Sequence, residues 1–196
     1  GCPQINAPLH ELQILLQTRQ CVPGQADLLL KLCGIEPGTG NIRRQAERGG
    51  GSVPDIGVYP YGAVRFVTGQ EPRALISKHI ERNEGVDVFA HICMGFEGFT
   101  FCATTSMGMM RWQVMEFHGT KSVARLSAPF NPGVFGEARL ELHRADGTIE
   151  CFRWPEENQY VLQIEAFQRA MQGAPYVCPL EFSRGTQAMV DTVLTS

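Results

Sequence analysis

The 196-residue chain predicts an α+β domain, an open-faced, mainly antiparallel sheet of about six strands with helices on one face. Two observations carry this. Between residues 73 and 153, short β-type runs alternate with turn residues at hairpin spacing. Before and after them stand segments whose apolar residues recur at helical spacing.

Residues 1–40 form an atypical N-terminal segment, set apart from a main unit over 41–196. Leu9, Leu12 and Leu16 share a helical face, and Ala26 to Leu32 is a short apolar run stopped by Gly34, so two short helices joined by Pro-Gly linkers are expected. A helix then runs from Asp55, at or near its N-cap, to about Val67, with Gly69 as its stop. Pro60 fits only in the first turn, where its missing N–H is not needed.

Arg73–Arg82, Asp87–Phe96, Phe99–Met107, Arg111–His118, Ser122–Leu126, Ala138–Arg144 and Thr148–Arg153 read as strands, with turns at Glu97-Gly98 and Ala145-Asp146-Gly147. Tyr160, Ile164, Phe167 and Met171 predict a helix ending before Gly173, and Thr186, Met189, Val190 and Val193 predict a last one after Pro179. Val88, Phe89, Ile92, Met94, Phe96, Met109 and Met110 supply apolar side chains for both sheet faces. The face without helices is therefore expected to be covered by a partner, in a homodimer or homotetramer.

A composition of 43% hydrophobic and 19% charged residues is that of a soluble globular protein. The net charge of −3, without a basic block, argues against nucleic acid as a partner. No apolar run approaches the ~18–20 residues that span a bilayer. The start, Gly1-Cys2-Pro3-Gln4, reads as a processed end. Seven cysteines with no C-x-x-C pair read as reduced thiols of a cytoplasmic protein. The five histidines lack metal-ligand spacing, so no metal is expected.

The chemistry concentrates in Gly49-Gly-Gly-Ser-Val-Pro-Asp-Ile-Gly-Val-Tyr59. Four residues apart on a helix, Asp55 and Tyr59 point the same way, and a carboxylate beside a phenol is a proton-handling pair. The glycines before it, Gly50 and Gly51 among them, let a backbone or cofactor approach closely. They belong to neither a G-x-G-x-x-G nor a G-K-[ST] fingerprint.

Asn41-Ile42-Arg43-Arg44 followed by GGGSVPDIGVYPYGAVRFVTGQEP (Gly49 to Pro72) resembles the opening of the C-terminal domain of the glucose–fructose oxidoreductase/inositol dehydrogenase (Gfo/Idh/MocA) family. Phe117 to Lys121 and Asn158 to Phe167 continue the resemblance from about Asn41 to the end. It implies descent from an NAD(P)-dependent oxidoreductase acting on a sugar or polyol, with NAD or NADP held by a separate Rossmann domain. Tyr59 would be the general acid/base and Asp55 its partner. Arg43 and Tyr160 would touch substrate, and Gly50 and Gly51 would lie near the cofactor.

The family's Glu-Lys-Pro lysine, which lowers the phenol pKa, has no counterpart among Lys31, Lys78 and Lys121. This sequence is therefore expected to bind no dinucleotide tightly by itself, and to be inactive without that domain. The alternative is a stand-alone, non-catalytic sugar-binding or assembly module.

Overall fold

A computed structural model describes residues 26–33, 38, 40–155, 158–176 and 178–195. Its centre is an eight-stranded sheet in the order β2-β3-β4-β1-β5-β6-β7-β8. The strands are β1 (Ala26–Cys33), β2 (Ala74–Asn83), β3 (Val86–Gly95), β4 (Phe99–Ser106), β5 (Trp112–His118), β6 (Ser122–Ser127), β7 (Ala138–Arg144) and β8 (Ile149–Trp154). β2–β4 and β5–β8 are two antiparallel meanders. β1 joins them, running parallel to β4 and antiparallel to β5.

β1 corrects the expected helix at Ala26–Leu32. The backbone there pairs along its length with β4 and β5, and tertiary pairing of this kind overrides the weak periodicity of a short apolar run. The sheet also crosses the expected boundary at residue 40. The possible helix over Leu9–Leu16 lies outside the described residues.

α1 (Val58–Thr68) and α4 (Leu180–Thr195) cover one sheet face. Tyr61, Val64 and Val67 from α1 meet Met189, Val190 and Val193 from α4 over Ile92, Met94, Phe101, Met115, Leu126 and Leu140. Buried Arg65 clamps the two helices together. It donates to both carboxylate oxygens of Glu71, to the Phe182 carbonyl and to Thr186 Oγ1, and its guanidinium lies over the Phe182 ring. A short α2 (Pro132–Phe135) links β6 to β7, and α3 (Gln159–Met171) follows β8.

The alternation of side chains sorts the two faces. Ile92, Met94 and Phe96 are in the helix-covered core, not on the free face. The free face carries mixed groups instead: in neighbouring strands His79 aligns with His91, His91 with Thr104, Glu116 with Arg125, and Arg125 with Glu141. Trp112 and Val114 alternate with Gln113 and Met115 on β5, and with exposed Leu29 and Ile149 they add apolar surface to the free face. Apolar side chains therefore do lie on both sides of the sheet, though Ile92, Met94 and Phe96 belong to the core.

The cysteine reading also changes. The turn after β3 places Cys93 directly opposite Cys102 in β4, 4.3 Å apart at Cα, and the two form a disulfide. Cys178 is disulfide-bonded as well, whereas Cys33 and Cys151 are free. Strand register, not C-x-x-C spacing, makes the Cys93–Cys102 pair. Cytoplasmic residence was inferred from free thiols, and this pair withdraws that ground. Among the described residues no helix is long and apolar enough to cross a membrane, and no group of His, Cys, Asp and Glu is arranged for a metal ion.

Candidate functional site

Ahead of α1, residues Val53–Gly57 make a π-turn, preceded by short 3₁₀ turns at Ile42–Arg44 and Ala46–Arg48. The predicted stop is in place: Gly69 adopts φ 67° and its N–H bonds back to the Arg65 carbonyl. The predicted cap is not. Asp55 is the third residue of the π-turn, and the chain is already helical at Ser52. The wider turn falls where Pro60, having no N–H, cannot donate back to Ile56.

Gly50 and Gly51 are packed against the chain's own backbone and side chains. A Cβ on Gly50 would lie 2.5 Å from the Arg43 carbonyl oxygen, and one on Gly51 would run into the Asp87 carboxylate. Gly51 also adopts φ 134° and donates its N–H to the Arg43 carbonyl at 3.0 Å. The Cβ side of each glycine is therefore filled by the protein's own atoms, and a side chain at either position would collide with them.

Four expected site residues do converge. Arg43 Nε donates to Asp55 Oδ2 at 2.7 Å. Both side chains are partly exposed, at 48% and 34%, so their pairing orients them more than it stabilises the fold. Tyr59 is half-buried, its ring centroid 5.3 Å from that of fully buried Phe130. Burial pushes the Tyr59 phenol above its ordinary value, the charges of Asp55 and Tyr160 push it further, and Arg43 opposes them. Arg43, Asp55 and Tyr160 therefore all lie within electrostatic reach of Tyr59. The lysines stand elsewhere: Lys31 is exposed on β1, Lys78 donates to the Val193 carbonyl, and Lys121 sits in the turn before β6. Arg43 is the cation that acts on the phenol.

Several supporting residues were not singled out from sequence. Buried Gln113 on β5 accepts the N–H groups of Phe130 and Asn131, propping the loop against which Tyr59 rests. Ala128 in that loop takes the left-handed conformation, at φ 47°. Asn131 Oδ1 accepts from Gln159, the neighbour of Tyr160, and so ties α3 to the same loop. Asp87, buried at the start of β3, accepts from Ser52 Oγ and the Val53 N–H. Its signal was a lone carboxylate in the otherwise apolar run Val86–Ala90, which strand periodicity alone does not mark as important.

Residues 31–125 match the GFO/IDH/MocA C-terminal domain. This chain carries a GFO/IDH/MocA C-terminal domain. An uncharacterized oxidoreductase from Rhizobium meliloti is 30% identical over 165 residues, covering 80% of this chain and 49% of its own length. A dTDP-3,4-didehydro-2,6-dideoxy-alpha-D-glucose 3-reductase from Actinomadura kijaniata is 29% identical over 162 residues, covering 80% of this chain and 48% of the reductase. The chain spans about half the length of these curated relatives. A 3-ketoreductase from Actinomadura kijaniata, crystallised with NADP and TDP-benzene, superposes with a TM-score of 0.79 at 25% identity, over 95% of this chain and 57% of the ketoreductase. An aldose–aldose oxidoreductase from Caulobacter crescentus shares the fold at 16% identity and a TM-score of 0.82, over 96% of this chain and 58% of that one.

Proposed function

We propose that this domain supplies the substrate-holding and proton-handling half of an NAD- or NADP-dependent oxidoreductase acting on a sugar or polyol, and that it works on a sugar ketone in the reducing direction. The observation that carries the reading is the phenol of Tyr59. A phenol ionises only near pH ~10, and burial and neighbouring negative charge push this one higher still, so it stands protonated at neutral pH beside the Arg43–Asp55 pair. A protonated phenol is a donor, and reduction of a ketone needs one proton on the carbonyl oxygen for each hydride added to carbon. The dinucleotide would supply the hydride.

Tyr59 gives its proton to the substrate oxygen. Asp55 orients a sugar hydroxyl, while Arg43 and Tyr160 bind at the rim. Gly50 and Gly51 shape the turn, and tight binding of NADP to this domain alone is not expected. The NADP-bound 3-ketoreductase and the dTDP-sugar 3-reductase support a nucleotide-linked keto sugar as the substrate class.

The test is reduction of a dTDP-linked 3-keto sugar with NADPH by the native-length protein. Tyr59→Phe is expected to lower kcat about 10²–10⁴-fold with KM little changed. Full activity in that variant would end the assignment. Self-association through the free sheet face belongs to the same reading, since protein interfaces can be as polar as this face. Sedimentation velocity should show a dimer or tetramer, and a monomer at micromolar concentration would exclude it.

A further inference from the structure

We infer that Asp87 is the positioning residue of the Tyr59 site: its buried carboxylate grips the start of the π-turn and so sets where Asp55 and Tyr59 stand. The inference rests on the catalytic reading of Tyr59 for its functional meaning, but its geometry is independent of that reading.

Asp87 is 3% exposed, and among the described residues no cation is found as its hydrogen-bond or ion-pair partner. Oδ2 accepts from Ser52 Oγ at 2.7 Å and from the Val53 N–H at 2.6 Å. Ser52 Oγ is also 3.1 Å from Thr105 Oγ1 on β4, so the turn is held to two neighbouring strands, β3 and β4. The first N–H groups of a helical segment have no partner within it, and a carboxylate satisfies them while favouring the local dipole.

Gly51 completes the device. Any Cβ there would displace the Asp87 carboxylate, so the third glycine of the run is the space in which the anchor sits. Gly51 also binds the Arg43 carbonyl, so the same point holds the arginine that pairs with Asp55. The site's acid, its carboxylate and its cation are thus referred to one buried group on β3.

The charge of Asp87 acts through space on Tyr61, raising its phenol, whereas the groups acting on Tyr59 are Asp55, Tyr160 and Arg43. This separates positioning from direct electrostatics. In the native-length protein, ¹³C-tyrosine NMR follows each phenol through its titration, with Tyr59→Phe identifying the Tyr59 signal. Asp87→Ala releases the turn, admits water to the ring and is expected to lower the Tyr59 midpoint by about half a pH unit or more. Asp87→Asn keeps an acceptor for Ser52 and Val53; it should leave Tyr59 in place while the Tyr61 signal changes.

Ser52→Ala removes one of the two grips with little threat to folding, and should shift Tyr59 the same way by less. An unmoved Tyr59 midpoint in both Asp87→Ala and Ser52→Ala overturns the inference. So does an Asp87→Asn shift as large as that of Asp87→Ala. If the phenol responds as expected but no keto sugar is reduced, the catalytic reading fails and the positioning stands. If Tyr59→Phe abolishes reduction while the Asp87 and Ser52 variants leave both the phenol and kcat unchanged, positioning fails and the catalytic reading stands.

Discussion

α1 and α3 both bring a tyrosine to the candidate site, yet they are held in opposite ways. α1 buries Tyr61, Ala63, Val64 and Val67, is clamped to α4 through Arg65, and enters through the turn anchored by Asp87. α3 buries only its first residue, Gln159. Its predicted stripe is exposed, with Tyr160 at 55%, Ile164 at 59%, Phe167 at 60% and Met171 at 73%. It is tethered at its start, where Asn158 caps the N–H groups of Tyr160 and Val161 and Gln159 reaches Asn131. The proposed proton donor, Tyr59, therefore stands on a fixed support, and Tyr160 on a helix joined to the site by its end. Preorganisation matters most for a group that must meet the transition state, less for one that only helps to hold substrate.

The largest contrast should be in stability. Tyr61→Ala empties a fully buried site and should cost about 3–5 kcal/mol, whereas Phe167→Ala on the exposed stripe should stay within about 0.5 kcal/mol. Urea denaturation of both variants checks this. Equal losses would mean that the stripe of α3 is buried in solution and that the contrast is false.

A smaller effect should appear in the pH profile of ketone reduction, where activity needs Tyr59 protonated and falls as the phenol ionises above its ordinary value of about 10. Asp55→Asn removes a negative charge that raises the phenol, so the alkaline limb should move to lower pH. Arg43→Ala removes the opposing cation and should move it up. Tyr160→Phe should produce the smallest downward shift, because its influence ranks below that of Asp55. A limb that moves in the same direction in Asp55→Asn and Arg43→Ala would show that these charges do not act on the titrating group.

The strands from Ala74 to Trp154 and the helices at α1, α3 and α4 lay close to their expected limits, because each is signalled by neighbours within a few residues. The Asp55–Tyr59 pairing was expected from helical spacing, whereas Arg43 and Tyr160, which lie far apart in the chain, were expected beside it only through the resemblance. Asp87 was overlooked because its partners, Ser52 and Val53, are more than thirty residues away. Gln113 was overlooked for the same reason: its role depends on a loop beyond the next strand. Gly50 and Gly51 are legible in the sequence as sites of close approach, and the chain itself fills the space beside them.

Periodicity and turn chemistry were thus enough for the element types from residue 55 onward, a sheet covered by helices on one face, and the D-x-G-x-Y spacing of Asp55 and Tyr59. These depend on contacts between residues one to four apart. Tertiary structure decided the rest: that Ala26–Cys33 is a strand between two meanders, that Cys93 faces Cys102, and that α4 is covered while α3 is bare. Each of these depends on register and packing between distant segments, where the same local pattern is compatible with burial or exposure, helix or strand.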